Sequence, residues 1–183
     1  DLAEMTERQD PLVIVDGRPF SEYAKFSVPG GVCCPNGELP LRATAIAPDP
    51  KTTIVVNCAG RTRSILGAQT LIDAGIPNRV VALENGTQGW VLSGRDLARG
   101  ADTRREDIAP TDRAQREALV AKAAAAGEVP TRDAAELRSL IADTARTHYV
   151  FDVGTADEAK ETAPHGIIHA PGGQLVQATV KGG

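Results

Sequence analysis

The sequence predicts an α/β fold, a mainly parallel central sheet flanked by helices, and three observations carry that prediction. Leu12-Val13-Ile14-Val15, Ile54 to Asn57 and Val80-Val81-Ala82-Leu83 are short runs rich in β-branched residues, the mark of strands buried on both faces. The segments between them have helical character and end at glycine or proline. Strands that alternate with helices build parallel sheets.

Asp16-Gly17-Arg18-Pro19 ends the first strand, and Ser21 is positioned to cap a short helix through Glu22, Tyr23 and Phe26. Val28-Pro29-Gly30-Gly31 is a turn, and Val32-Cys33-Cys34 a short strand closed by Pro35-Asn36-Gly37. Cys33 and Cys34 would alternate faces, one in the core and one partly exposed. Leu39 to Ala47 reads as a weak helix or loop. A helix from Ile65 to Ile72 stops at Ala74-Gly75, a normal glycine cap. A last short helix lies near Gly89-Trp90, with Trp90 packed in the core.

The chain of 183 residues is 42% hydrophobic but 3% aromatic, so its core must be built largely from Ala, Val, Leu and Ile. A formal charge of −4 argues against nucleic acid or an anionic membrane as partner. No apolar run nears the roughly 20 residues of a membrane span. The opening Asp-Leu-Ala-Glu-Met-Thr-Glu-Arg has neither the basic nor the apolar region of a signal peptide. It also lacks an initiator Met, so the chain reads as a fragment, and the first strand of its domain is expected to be missing. Three cysteines make no disulfide framework, and a cytoplasmic location is expected.

From Arg95 to Arg116 the chain turns to mixed charges and reads as a solvated linker, followed by an alanine-rich helix from Ala114 to Ala126 closed by Gly127. Thr131 then caps a helix with Ala134, Leu137, Leu140 and Ile141 on one face, and His148 to Val153 reads as a strand. This second run repeats the first at a fixed offset of 136. Asp16 and Glu22 match Asp152 and Glu158, while Gly30, Pro35, Gly37 and Leu39 match Gly166, Pro171, Gly173 and Leu175. The expected organisation is a domain over 1–95, a linker and helix over 96–127, and the opening of a truncated second repeat over 128–183. An incomplete domain leaves a sheet edge and an apolar face uncovered. Residues 128–183 are therefore expected to pack on the first domain or on a neighbouring chain.

The chemistry centres on Cys58-Ala59-Gly60-Arg61-Thr62-Arg63-Ser64. The thiol stands where a strand turns into a helix, and helix N-termini favour negative charge, here a thiolate. Together with Val15-Asp16-Gly17-Arg18, Pro29-Gly30-Gly31 and Leu83-Glu84-Asn85-Gly86 followed by Trp90, this run resembles the rhodanese-like sulfurtransferases. The four matches cover roughly residues 1–95; Asn85 replaces a glycine of the family pattern, and Gly154 stands in the second copy where Arg18 stands in the first. The resemblance implies a six-residue active-site loop, 58–63, and a Cys58 nucleophile. That cysteine takes sulfane sulfur from an anionic donor such as thiosulfate and yields it to cyanide or a thiol. Ala59, Gly60, Arg61, Thr62, Arg63 and Ser64 would bind the donor, the two arginines holding its anionic group and favouring the thiolate. Asp16 and Arg18 are expected to form a structural ion pair beside the loop. Neither cofactor nor metal is implied; His148, His165 and His169 are too isolated for a metal site.

Two other readings compete. Cysteine phosphatases and arsenate reductases also use a thiol at such a turn, but their loops typically need arginine six positions after it, where this chain has Ser64. A non-catalytic interaction module of the same family usually loses the cysteine or the basic loop residues, and both are present. The Gly-Arg-Thr-Arg run is not a phosphate-binding Walker loop, since its Gly-Lys-Ser/Thr core is absent.

Overall fold

A computed structural model describes residues 2–104, 112–154, 158–160, 167–172 and 175. Two compact units divide the chain, 1–123 and 124–183.

In the first unit, a helix not foreseen from the sequence, α1 (Leu2–Glu7), leads into β1 (Leu12–Asp16). There follow α2 (Phe20–Tyr23), β2 (Val32–Cys33), α3 (Leu39–Ile46), β3 (Thr53–Asn57), α4 (Thr62–Ala74), β4 (Val80–Ala82) and α5 (Gly86–Leu92). The strands pair in the order β2-β1-β3-β4, every neighbour parallel. Both faces are apolar, and the side chains alternate between them. Val15, Ile54 and Val56 join Leu39, Ala43, Ala68 and Leu71 in one cluster with α3 and α4. Ile14 and Val55 point the other way, to Leu2, Val28 and the half-buried Leu83 and Trp90. The core is largely aliphatic on both faces, with Trp90 on one of them, as the scarcity of aromatics requires.

Several boundaries differ from the sequence expectation for physical reasons. Pro19, not Ser21, precedes α2, because proline's fixed φ suits a helix entry. Cys33 and Cys34 are both buried. Cys34 lies past β2 and packs against α3 and α4, while Cys33 donates its S–H to the Arg18 carbonyl at 3.5 Å. Gly75 caps α4 in the left-handed region, as expected.

The stretch read as a linker is, in its first part, a cover for the sheet edge. Ser27 and Ala98 exchange both backbone hydrogen bonds at 2.9 Å, and Cys33 N–H donates to the Thr103 carbonyl at 3.0 Å. Trp90 Nε1 donates to the Asp96 carbonyl at 2.8 Å. Residues 105–111 lie outside the described residues. The helix α6 (Arg113–Ala126) begins in this unit, with Leu119 against the α3–α4 cluster.

In the second unit α7 (Ala134–Ala142) is capped by Asp133 rather than Thr131. Asp133 accepts from Ala135 and Glu136 N–H while Glu136 reaches back to the Asp133 N–H, a reciprocal arrangement that Thr131 is too far away to make. The expected strand from His148 is only β5 (Phe151–Asp152), parallel to β6 (Ile168–His169). Its pairs, Phe151 with Ile168 and Asp152 with His169, stand 136 residues after Val15 with Val32 and Asp16 with Cys33. The bond from Ala170 N–H to the Asp152 carbonyl likewise follows that from Cys34 N–H to Asp16. His165, Gly166 and Gly173 fall outside the described residues.

At the C-terminal ends of β1 and β3, Asp16 sits opposite Asn57 in the ladder. Arg18 is 0% and Asp16 1% exposed, so neither charge has water to lean on. Arg18 donates from Nε and Nη2 to the two Asp16 carboxylate oxygens at 2.8 and 2.7 Å, and from Nη2 to the Phe26 carbonyl at 2.7 Å. Asn57 Nδ2 adds a bond to Asp16 Oδ2 at 3.0 Å. Removing one partner of such a pair strands the other in low dielectric. Arg18→Ala should therefore lower unfolding free energy by about 3–5 kcal/mol in urea melts; a loss under about 1 kcal/mol would show that the pair is not structural.

Candidate active site

The site lies where chain topology reverses. From β1 the chain crosses to β2 on one side, then returns to β3 on the other, so the ends of β1 and β3 frame a crevice. Cys58, the first residue after β3, sits in that crevice with 2% of its surface exposed.

The helix after it starts at Thr62, three residues before the expected Ile65. The loop proper is therefore Cys58 to Arg61, and Thr62, Arg63 and Ser64 form the first turn of α4. The first backbone bond of that turn runs from Ile65 N–H to the Arg61 carbonyl. The N–H groups of Ala59 through Ser64 donate to no acceptor among the described residues. Some of these are the orphan donors that every helix start leaves; the rest belong to the loop.

Two of the loop's carbonyls are tied down by α5. Thr87 N–H donates to the Cys58 carbonyl at 2.9 Å, and Gln88 N–H to the Ala59 carbonyl at 3.1 Å, so the start of α5 grips the loop from behind. Thr87 Oγ1 adds a bond to the Ala59 carbonyl at 3.3 Å. Asn85 and Gly86, both at positive φ, make the turn that brings α5 so close. A Cβ on Gly86 would overlap the Cys58 carbonyl oxygen.

Cys58 Sγ is 3.5 Å from Ser64 Oγ, which accepts from the thiol and gives its own proton to the Arg61 carbonyl at 2.9 Å. The two arginines differ sharply. Arg61 is exposed, and its side chain has no ion pair or hydrogen bond among the described residues. Arg63 is buried and bidentate to Glu22, Nη1 to Oε1 and Nη2 to Oε2, both at 2.8 Å. The bond to Glu22 holds the Arg63 guanidinium above its ordinary pKa against the opposing effect of burial, with the charges of Glu22, Cys58 and Asp16 adding smaller contributions.

The structure thus gathers Cys58, Ala59, Gly60, Arg61, Thr62, Arg63 and Ser64 at one end of the sheet, with Asp16 and Arg18 beneath them. Sequence reasoning missed Glu22, Gly86, Thr87 and Asn36, whose Nδ2 donates to the Arg63 carbonyl at 2.7 Å. The Asn-Gly pair at 85–86 was the one available signal for the α5 grip. Nothing in the sequence pointed to Glu22 as the partner of Arg63. Among the described residues no three His, Cys, Asp or Glu side chains gather as a metal ion would need.

Residues 1–93 match the family model described as the Rhodanese-like domain. The chain belongs to the rhodanese-like family. No curated protein is similar enough to this rhodanese-like chain to count as a match. Among solved structures it is similar to a thiosulfate sulfurtransferase from Pseudomonas aeruginosa, at 42% identity and a TM-score of 0.91. That match takes in 98% of this chain and 34% of the other, so the rhodanese-like chain spans about a third of the relative's length. A protein from Anabaena sp. is 22% identical with a TM-score of 0.49, over 64% of this chain and 88% of its own. A Rhodopseudomonas palustris protein described as a possible tyrosine phosphatase is 29% identical with a TM-score of 0.45, over 53% and 78%.

Gly86→Ala tests the grip of α5 on the rhodanese-like loop. Steric overlap with the Cys58 carbonyl and a strained φ should together destabilise the first unit by about 2–4 kcal/mol and slow alkylation of Cys58. Wild-type melting and alkylation rates in that variant would show that the close approach is dispensable.

Proposed function

We propose that this protein moves sulfane sulfur from an anionic donor such as thiosulfate to a thiophilic acceptor, with Cys58 as nucleophile and carrier. The Cys58 thiolate attacks the outer sulfur of thiosulfate. A new S–S bond forms, the bond to the sulfonate sulfur breaks, and sulfite leaves with the electron pair. Cyanide or a thiolate then attacks the outer sulfur of the persulfide, and Cys58 departs as thiolate again.

One observation carries this reading: the buried Cys58 opens a loop and helix turn whose N–H groups, Ala59 through Ser64, have no acceptor among the described residues, while α5 holds the carbonyls of Cys58 and Ala59. Such an array stabilises an anion at fixed positions without reorganising, both the thiolate and the persulfide that replaces it. The likeness to a protein named thiosulfate sulfurtransferase supports the choice of donor. Arg61 supplies the unpartnered cation for the donor's sulfonate end. Ser64 can turn its one proton from the Arg61 carbonyl to the sulfur when Cys58 ionises.

The wider expectations are proposals of the same kind. The second unit opens a second rhodanese-like repeat, an assignment supported by its ladder standing 136 residues after the first. Neither nucleic acid nor a membrane is a partner in this reading, in keeping with the formal charge of −4. The described residues contain no helix long and apolar enough to cross a membrane. A nucleophile that must stay a free thiol fits a reducing cytoplasm.

Intact-mass measurement after treatment with thiosulfate tests the reading. The wild type should gain one sulfur atom that cyanide removes, as should Cys33→Ser and Cys34→Ser. Cys58→Ser should gain none. A folded wild type that never gains sulfur would refute the transfer reaction.

A further inference from the structure

The loop carries two arginines, yet only Arg61 is left with an uncommitted charge. Glu22, from α2, reaches across 41 residues of sequence to meet Arg63 with both carboxylate oxygens. The Arg63 side chain is 10% exposed and that of Glu22 40%, so the carboxylate is the more open half of the pair. Bidentate pairing of this kind fixes the guanidinium fork in one orientation. Glu22 takes one N–H from each of Nη1 and Nη2, so it holds the end of the fork and offsets its charge, while Nε–H and one N–H on each Nη remain.

The electrostatic consequence follows by counting charges. Attack by the Cys58 thiolate on thiosulfate brings one negative charge against two, and the products, persulfide and sulfite, again total three. Against them stand the N–H groups of the loop and Arg61, the loop arginine without an ion pair among the described residues, while Glu22 offsets the charge of Arg63. A donor that carries one charge, such as an aryl thiosulfonate, meets the same site with a smaller deficit. Its reaction is otherwise the same: the outer sulfur goes to Cys58, and a sulfinate leaves with the electron pair instead of sulfite.

We propose that Glu22 is a specificity-determining residue, which offsets the charge of Arg63 and so narrows the advantage that a dianionic donor such as thiosulfate holds over a monoanionic one at this site. The proposal rests on the reading of Cys58 as sulfur carrier. It replaces the expectation that both loop arginines hold the donor with a division of labour. Arg61 meets the donor, and Arg63 braces α4 against α2 through Glu22.

Glu22→Gln is the discriminating change, since the amide keeps the shape and one oxygen acceptor for Arg63 while removing the charge. Steady-state transfer to cyanide would be measured at constant ionic strength with thiosulfate and with benzenethiosulfonate. The proposal expects the thiosulfate KM to fall about fivefold or more in Glu22→Gln, with the benzenethiosulfonate KM changing much less. Damage to the fold would instead harm both donors alike. Arg61→Gln gives a second arm that leaves the Glu22–Arg63 pair in place. It should raise the thiosulfate KM more than the benzenethiosulfonate KM. An unchanged ratio of the two KM values in Glu22→Gln would overturn the role of Glu22, as would Arg61→Gln with no effect on either. Failure of the wild type to gain sulfur from either donor would instead overturn the sulfur-carrier reading itself, and the two failures are told apart by that control.

Discussion

The buried pair of Asp16 and Arg18 is the constraint on which the active end of the sheet depends. Two charges without solvent are tolerable only when paired and hydrogen-bonded. Asp16 is held by Arg18 and Asn57, and Arg18 by Asp16 and the Phe26 carbonyl, with its Nη1 left without a hydrogen-bond partner among the described residues. The ladder that sets Asp16 opposite Asn57 therefore cannot slip by a residue without breaking the cluster. Cys58 is the next residue after Asn57, so the register that satisfies a carboxylate in β1 also fixes where the thiol emerges from β3. Structure and chemistry meet in one hydrogen bond, from Asn57 to Asp16.

Parts of the site that depend on local sequence were legible, and parts that depend on approach across the fold were not. A strand followed by Cys-Ala-Gly-Arg announces a turn with a thiol at its start, and the aliphatic runs announce the strands on either side. The Asp16–Arg18 pair was also legible, because an acidic and a basic residue two apart at a strand end can face each other. The start of α4 was misplaced because Thr62, Arg63 and Ser64 show no apolar periodicity; their helix is set by the loop and by burial of Arg63 and Ser64. Glu22 reads from the sequence only as part of a short helix and as the match of Glu158 in the second run. Its meaning comes from the fold bringing α2 beside the first turn of α4, which no spacing within either segment reveals.

The second unit shows which features of the strand end are backbone devices and which are additions. In both units the N–H two residues after the aspartate donates to its carboxylate, from Arg18 at 3.1 Å and from Gly154 at 2.9 Å. In both, a side chain from the neighbouring strand meets the carbonyl of that same residue, Cys33 at Arg18 and His169 at Gly154. The turn therefore forms with glycine as well as with arginine. What Gly154 cannot supply is the cation: among the described residues the Asp152 carboxylate is met by a backbone N–H, whereas Asp16 is also met by a charged side chain.

The residues after Trp90 carry a practical consequence for where this domain ends. The family match stops at 93, and the composition of the next stretch looks like connecting chain. Yet Ala98 exchanges backbone hydrogen bonds with Ser27, Gly100 N–H donates to the Ala24 carbonyl, and the Thr103 carbonyl accepts from Cys33 on the side of β2 that has no further strand. A sheet edge left open invites pairing with another molecule. A domain excised at the family boundary would lose this cover and gain a sticky margin beside Cys33, whereas one carried on through Arg104 would keep its edge closed.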